Sequence, residues 1–128
     1  MKTILVADDD ENIVAGLTHR LQANGYRVIT ASDGVDALRL ALTQKPDLML
    51  LDIWMPTGFG LSIAQRMEKL GWDIPIIFLT ASRLPKLRRA AENVGGAAYI
   101  EKPYDPEVLL RAIQEILDLN PKTSAIIA

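Results

Sequence analysis

The 128-residue sequence predicts an α/β fold: a doubly wound sheet of five parallel strands with five helices, in three layers. Three observations predict it. Five short apolar runs alternate with segments whose apolar residues recur at helical spacing, and that alternation implies βαβ units. The third and fourth runs are apolar throughout their interiors, the pattern of strands covered on both faces. Right-handed crossovers leave few topologies, and five units are too few for a closed eight-stranded barrel.

The first strand is Thr3 to Ala7, stopped by Asp8-Asp9-Asp10. Asp10 or Glu11 caps a helix whose apolar face is Ile13, Leu17 and Leu21. Asn24-Gly25 ends it, glycine suiting a left-handed C-terminal position. Tyr26 to Ala31 is rich in β-formers and reads as the second strand. Ser32-Asp33-Gly34 opens a helix with Ala37, Leu38, Ala41 and Leu42 inward, and Lys45-Pro46 stops it. Asp47 to Leu51 is the third strand, and Asp52 to Gly60 reads as a long loop. A helix follows with Ile63, Met67 and Leu70 on one side, ending at Gly71. Ile74 to Leu79 is the fourth strand, with Thr80 at its end. Leu84 to Val94 is a helix stopped by Gly95-Gly96, and Ala97 to Ile100 is the fifth strand. Asp105-Pro106 sets a cap followed by proline in the first turn of the last helix. That helix turns Val108, Leu109, Ala112, Ile113, Ile116 and Leu117 inward and ends at Asn120-Pro121.

Composition narrows the class. Hydrophobic residues make up 49% and charged residues 23%, globular values that argue against disorder. A net charge of -2 gives no bulk signal for nucleic acid or membrane surfaces. Without cysteine there is no disulfide framework, thiolate metal site or cysteine nucleophile. Met1-Lys2-Thr3 leads into a strand rather than an apolar leader, and no stretch is apolar and long enough to span a bilayer. A soluble cytoplasmic protein is the expectation, with one domain over residues 1–120 and a tail or linker stub over 121–128.

Asp8, Asp9, Asp52 and Lys102 each stand just past or at the end of an apolar run. In neighbouring parallel strands they would meet at the carboxyl edge of the sheet, where open α/β sheets bind ligands. Clustered carboxylates repel one another and call for a divalent cation; hard oxygen donors suit Mg²⁺. A cation with Lys102 beside it makes a home for a phosphoryl group, and Thr80 can add a hydroxyl donor. An aspartate there can itself become an aspartyl phosphate.

Four motifs carry a resemblance: Val6-Ala7-Asp8-Asp9-Asp10, Leu51-Asp52-Ile53-Trp54-Met55-Pro56 with Gly60, Leu79-Thr80-Ala81, and Tyr99-Ile100-Glu101-Lys102-Pro103. In this order and spacing the chain resembles the CheY-like receiver domain of two-component response regulators, from about Lys2 to about Leu119. The resemblance implies a flavodoxin-like three-layer sandwich with strand order 2-1-3-4-5. It implies a phosphorylation-driven switch rather than a turnover enzyme. Asp52 would accept phosphate from a histidine kinase or phosphotransfer protein. Asp8, Asp9, Asp52 and the backbone carbonyl of Trp54 would hold Mg²⁺. Lys102 would pair with the phosphoryl oxygens, Thr80 would turn toward them, and Tyr99 would swing inward. The Lys102-Pro103 bond would be cis. The output would be an output domain or target protein meeting the face of residues 84–118, or a homodimer, with no direct nucleic-acid or membrane contact by this domain.

Other readings are weaker. Asp10 is read as a cap, His19 as a surface histidine, and Lys86, Arg88 and Arg89 as a solvated face. A phosphatase built on an aspartyl phosphate would want a second aspartate where Trp54 stands. A flavin or nucleotide module would want more than the glycines of Thr57-Gly58-Phe59-Gly60. A degenerate receiver would lack the full set Asp8, Asp9, Asp52, Thr80 and Lys102. The loop also departs from the pattern, since many receivers carry an acidic residue where Phe59 stands. Ala97 and Ala112 fall where charged dimer contacts are usual in DNA-binding regulators. Bulky Trp54 at the mouth of the site is expected to shield an acyl phosphate from water.

Overall fold

A computed structural model describes residues 1–119. The elements run β1 (Thr3–Ala7), α1 (Glu11–Ala23), β2 (Arg27–Ala31), α2 (Gly34–Gln44), β3 (Leu48–Asp52), β4 (Trp54–Met55), β5 (Gly58–Phe59), α3 (Gly60–Lys69), β6 (Ile76–Thr80), α4 (Pro85–Asn93), β7 (Ala98–Glu101) and α5 (Pro106–Leu119). The main sheet has the order β2-β1-β3-β6-β7, and every pairing in it is parallel. Counting its strands alone, this is the 2-1-3-4-5 order expected.

Strand side chains alternate between two cores, as a pleated strand requires. Ile4, Val6, Leu48, Leu50, Ile77 and Leu79 pack with Leu17 and Leu21 of α1 and Leu109, Ile113 and Leu117 of α5. Leu5, Met49, Leu51 and Phe78 face the other way, onto Ala37 and Ala41 of α2, Ile63 and Met67 of α3, and Leu87 and Ala91 of α4. Two helices therefore cover one face and three the other, so each central strand is buried on both sides. The capping readings hold locally. Asp10 Oδ1 accepts the N–H groups of Asn12 (2.9 Å) and Ile13 (3.4 Å), and Asp33 Oδ1 accepts that of Asp36 (2.8 Å). Gly25, past the end of α1, has φ of 87°.

Several expectations need correction. The segment 52–60 is not a plain loop: Trp54 pairs with Phe59 and Met55 with Gly58 in a two-stranded antiparallel hairpin. Leu70 is exposed because it caps the C-terminus of α3, beyond the turn that meets the sheet. Val108 is exposed because it falls beside, not on, the stripe of Leu109, Ile113 and Leu117. Tyr26 precedes β2, its N–H bonded to the Leu21 carbonyl. The helix end expected at Asn120-Pro121 and the tail over 121–128 lie outside the described residues.

The hairpin is fastened to α2. Gly34 and Gly58 meet backbone to backbone, so closely that a Cβ on Gly58 would come within 2.7 Å of the Gly34 Cα. The Gly34 N–H donates to the Pro56 carbonyl (2.9 Å) and the Val35 N–H to Thr57 Oγ1 (3.2 Å). The first N–H groups of a helix have no partner within it, and here the hairpin supplies two. Thr57 sits at φ 59°, in the left-handed region that residues other than glycine rarely adopt.

Candidate functional site

Parallel register aligns the ends of β1, β3, β6 and β7. Ala7 pairs with Leu51, Asp52 with Leu79, and Thr80 with Glu101. Asp8, Asp52, Thr80 and Lys102 thus reach one edge of the sheet although Asp8 and Lys102 stand 94 positions apart in the sequence. Carboxylate oxygens of Asp8, Asp9 and Asp52 lie within 4.8 Å of one another. Asp8 and Asp52 are buried and Asp9 is exposed.

Lys102 holds the buried pair together. Its Nζ donates to Asp8 Oδ2 at 2.6 Å and to Asp52 Oδ2 at 3.3 Å. The other carboxylate oxygens take backbone N–H groups: Asp10 to Asp8 Oδ1 (2.9 Å) and Trp54 to Asp52 Oδ1 (3.2 Å). Burial pushes the Asp52 carboxyl above its ordinary value. Lys102 opposes that rise, the Asp8 charge adds to it, and the Trp54 N–H opposes it weakly. Burial works against the Lys102 ammonium, but its hydrogen bond to Asp8 and the charges of both aspartates outweigh burial and raise it. Three hard-oxygen carboxylates converging on one point, one of them open to solvent, fit a divalent cation that keeps part of its water shell.

Thr80 is fully buried and its Oγ1 accepts the Ser82 N–H at 3.1 Å. Tyr99, on β7, donates its hydroxyl to the Ser82 carbonyl at 3.3 Å. The peptide groups of Ser82 therefore touch both residues expected to switch, a link that sequence spacing alone does not reveal. Arg88 of α4, read from sequence as part of a solvated face, lies with its guanidinium 5.6 Å from the centre of the Tyr99 ring. Trp54 stands beside the site and is 56% exposed, its ring 4.8 Å from that of Phe59. The Lys102–Pro103 peptide bond is cis. His19 is exposed, and so are Lys86 and Arg89. Among the described residues no helix is long and apolar enough to cross a membrane.

Known proteins resemble this chain in sequence and in fold. The family model for the response regulator receiver domain matches residues 4–114. The alkaline phosphatase synthesis transcriptional regulatory protein PhoP of Bacillus subtilis (strain 168) is 38% identical over 116 residues, 91% of this chain and 48% of the relative. Response regulator MprA of Mycobacterium leprae (strain TN) is 38% identical over 114 residues, 89% of this chain and 50% of the relative. The chain spans about half the length of these curated relatives. A CheY-like response regulator receiver domain protein from Methanospirillum hungatei JF-1 superposes with a TM-score of 0.88 at 31% identity, covering 92% of this chain and 94% of that one. The non-phosphorylated HemR receiver domain from Leptospira biflexa gives 0.86 at 31% identity, covering 94% and 97%. With the sheet order, the edge cluster and a family match over most of its length, the chain belongs to the response regulator receiver domain family.

Proposed function

We propose that this receiver domain takes a phosphoryl group onto Asp52 from a phosphohistidine of a histidine kinase or phosphotransfer protein. One observation carries the reading: Lys102 bridges Asp8 and Asp52 at the point where three aspartate carboxylates converge. In the reaction an Asp52 carboxylate oxygen attacks phosphorus while the P–N bond to the donor imidazole breaks. The electron pair leaves with the imidazole nitrogen, and Asp52 becomes an acyl phosphate.

Asp8, Asp9, Asp52 and the Trp54 carbonyl would hold Mg²⁺, which neutralises charge on the transferring phosphoryl oxygens when bound. The chain's own groups do the rest. Asp8 holds the Lys102 ammonium next to the acceptor, so a cation is in place before the phosphoryl arrives. Thr80 Oγ1 already accepts the Ser82 N–H, which leaves its own proton to donate to a phosphoryl oxygen. Burial around Asp8, Asp52 and Thr80 keeps bulk water from weakening these contacts. Phosphorylation would then shift a two-state equilibrium through Thr80 and Tyr99 and alter the surface of residues 84–118.

The domain would extend over residues 1–120, act in the cytoplasm, and signal to an output domain or target protein, or through a homodimer. It would be a switch that assists only its own phosphorylation and dephosphorylation. Mass spectrometry after incubation with acetyl phosphate and Mg²⁺ tests the assignment. Wild type should gain one phosphoryl mass and Asp52→Ala none; an equal gain in both would move the acceptor elsewhere.

A further inference from the structure

A cavity of about 610 Å³ opens between α1 and the turn from β2 into α2, next to the acidic cluster. Its volume falls within the roughly 300–1,000 Å³ of small-molecule sites. Cluster and cavity share Asp8 and Asp9, but neither Asp52 nor Lys102 lines the cavity. One long wall is a stripe of α1 from Glu11 to Gln22, about 16 Å of helix axis. Val14 and Ala15 on that stripe, with Ala31 at the end of β2, make the middle apolar.

The charge is one-sided. Asp8, Asp9, Glu11 and Asp36 stand in the wall, and no lysine or arginine does. Lys102 engages Asp8 and Arg39 engages Asp36, while Asp9 and Glu11 have no ion pair among the described residues. A second, independent observation lies farther along α1. Thr18 belongs to the same wall, and its Oγ1 is the one buried side-chain polar atom among the described residues without a hydrogen-bond partner. A helical threonine can return its hydroxyl to the carbonyl one turn back; this one does not. A polar atom left over in a cavity wall is what a bound group would satisfy. Threonine in a helix has two χ1 wells open to it, so the hydroxyl can turn to meet a ligand. Thr18 follows Glu11 by seven residues, about 10 Å along the axis.

The geometry points to a binding site for an extended organic monocation: an ammonium or guanidinium head at Asp9 and Glu11, an apolar stem along Ala15 and Ala31, and a hydroxyl or carbonyl at Thr18. The site lies outside the phosphoryl chemistry but shares two carboxylates with it. A head seated there and a divalent cation compete for Asp8 and Asp9, and each lowers the other's affinity by the same factor. That competition rests on reading the three aspartates as the metal site; binding to the cavity does not. Occupied, the cavity holds the receiver short of metal and so slows its phosphorylation.

The test uses the full chain and 6-amino-1-hexanol, followed by the amide NMR signals of Ala15, Thr18 and Ala31. After chelation of metal these signals should move along saturable curves. 1,6-Hexanediol, which lacks the charge, and ammonium chloride, which lacks the stem, should give no saturation over the same range. Glu11 is exposed, so Glu11→Gln should fold, and it should weaken binding about twofold to fivefold. Thr18→Val keeps the shape of the side chain and should weaken binding about twofold to tenfold. Its urea midpoint should stay level or rise, since the free chain loses no hydrogen bond; a purely structural threonine would lower it. Mg²⁺ should move the amino-alcohol curves to higher concentration. Curves that do not saturate, equal affinity for the diol, or Thr18→Val binding as well as wild type each overturn the site. Saturable curves indifferent to Mg²⁺, in a chain whose Asp9 signals show Mg²⁺ bound, overturn the competition and leave the metal reading standing. Asp9 signals that never respond to Mg²⁺ overturn the metal reading, and with it the competition, and leave the cavity its ligand.

Discussion

Lys102 leans on Asp8 rather than on Asp52: its ammonium is 2.6 Å from the first carboxylate and 3.3 Å from the second. The cation is thus anchored by Asp8, with its weaker contact directed at Asp52, the proposed acceptor. Removing it leaves two buried carboxylates with no opposing charge. Breaking a buried pair from one side costs about 3–5 kcal/mol. Lys102→Met is expected to lose stability on that scale near neutral pH, measured by urea unfolding, and to recover part of it in acid as the carboxylates take up protons.

Asp52 should act in the opposite sense. Burial, aided by the Asp8 charge, holds its carboxyl above the ordinary value even with Lys102 beside it. The folded chain then binds a proton at Asp52 more readily than the unfolded chain does. The stability linked to that proton is complete in acid and is lost as pH rises through the raised folded value. Asp52→Asn, which cannot ionise, should melt about 2–4 °C above wild type near neutral pH. The gap should close as pH falls into the carboxylate range, and a constant gap across a series of buffered melts would contradict this account.

Metal should offset the same repulsion. At a Mg²⁺ concentration a hundredfold above Kd, binding to the native state alone adds about 2.7 kcal/mol. Wild type should therefore melt higher with Mg²⁺ than after chelation. Asp52→Asn and Asp9→Ala should each show a smaller gain, Asp9→Ala because it removes the most solvent-accessible of the three carboxylates. Thermal melts with and without chelator check this.

Trp54 predicts a kinetic effect. Its ring is supported from one side by Phe59 across the hairpin and stands half in solvent next to Asp52. If the indole adds about 1 kcal/mol to the barrier for hydrolysis, Trp54→Ala shortens the acyl-phosphate half-life about fivefold. Following loss of the phosphoryl mass after donor removal checks it, and an unchanged half-life would reject the shielding role.

Much of this architecture was legible in the sequence for a simple reason. Buried parallel strands are apolar along their interiors, so charges at the ends of such runs, at Asp8, Asp52 and Lys102, stand out. The alternation of strands and helices then brings those ends to one edge. The hairpin at 54–59 was not legible, because two-residue strands carry no period and Pro56 and Gly58 read as loop. Leu70 and Val108 were misplaced because helical spacing does not say where the sheet ends or how wide the buried stripe is. Which carboxylate Lys102 prefers, and that Arg88 covers Tyr99, depend on distances across the fold that spacing along the chain does not encode.

The tight meeting of Gly34 and Gly58 adds a last expectation. Any side chain at either position must push two backbones apart, and overpacking of this kind costs about 1–3 kcal/mol. Gly58→Ala is expected to lower the urea midpoint accordingly and, unlike Lys102→Met, to do so equally in acid and at neutral pH.

Because the segment bearing Trp54 also furnishes acceptors for the opening turn of α2, that helix and the rim of the acidic pocket are mechanically one piece. A partner that gripped Val35, exposed beside the buried Gly34 at the start of α2, would be handling the pocket's rim from outside, without ever entering it.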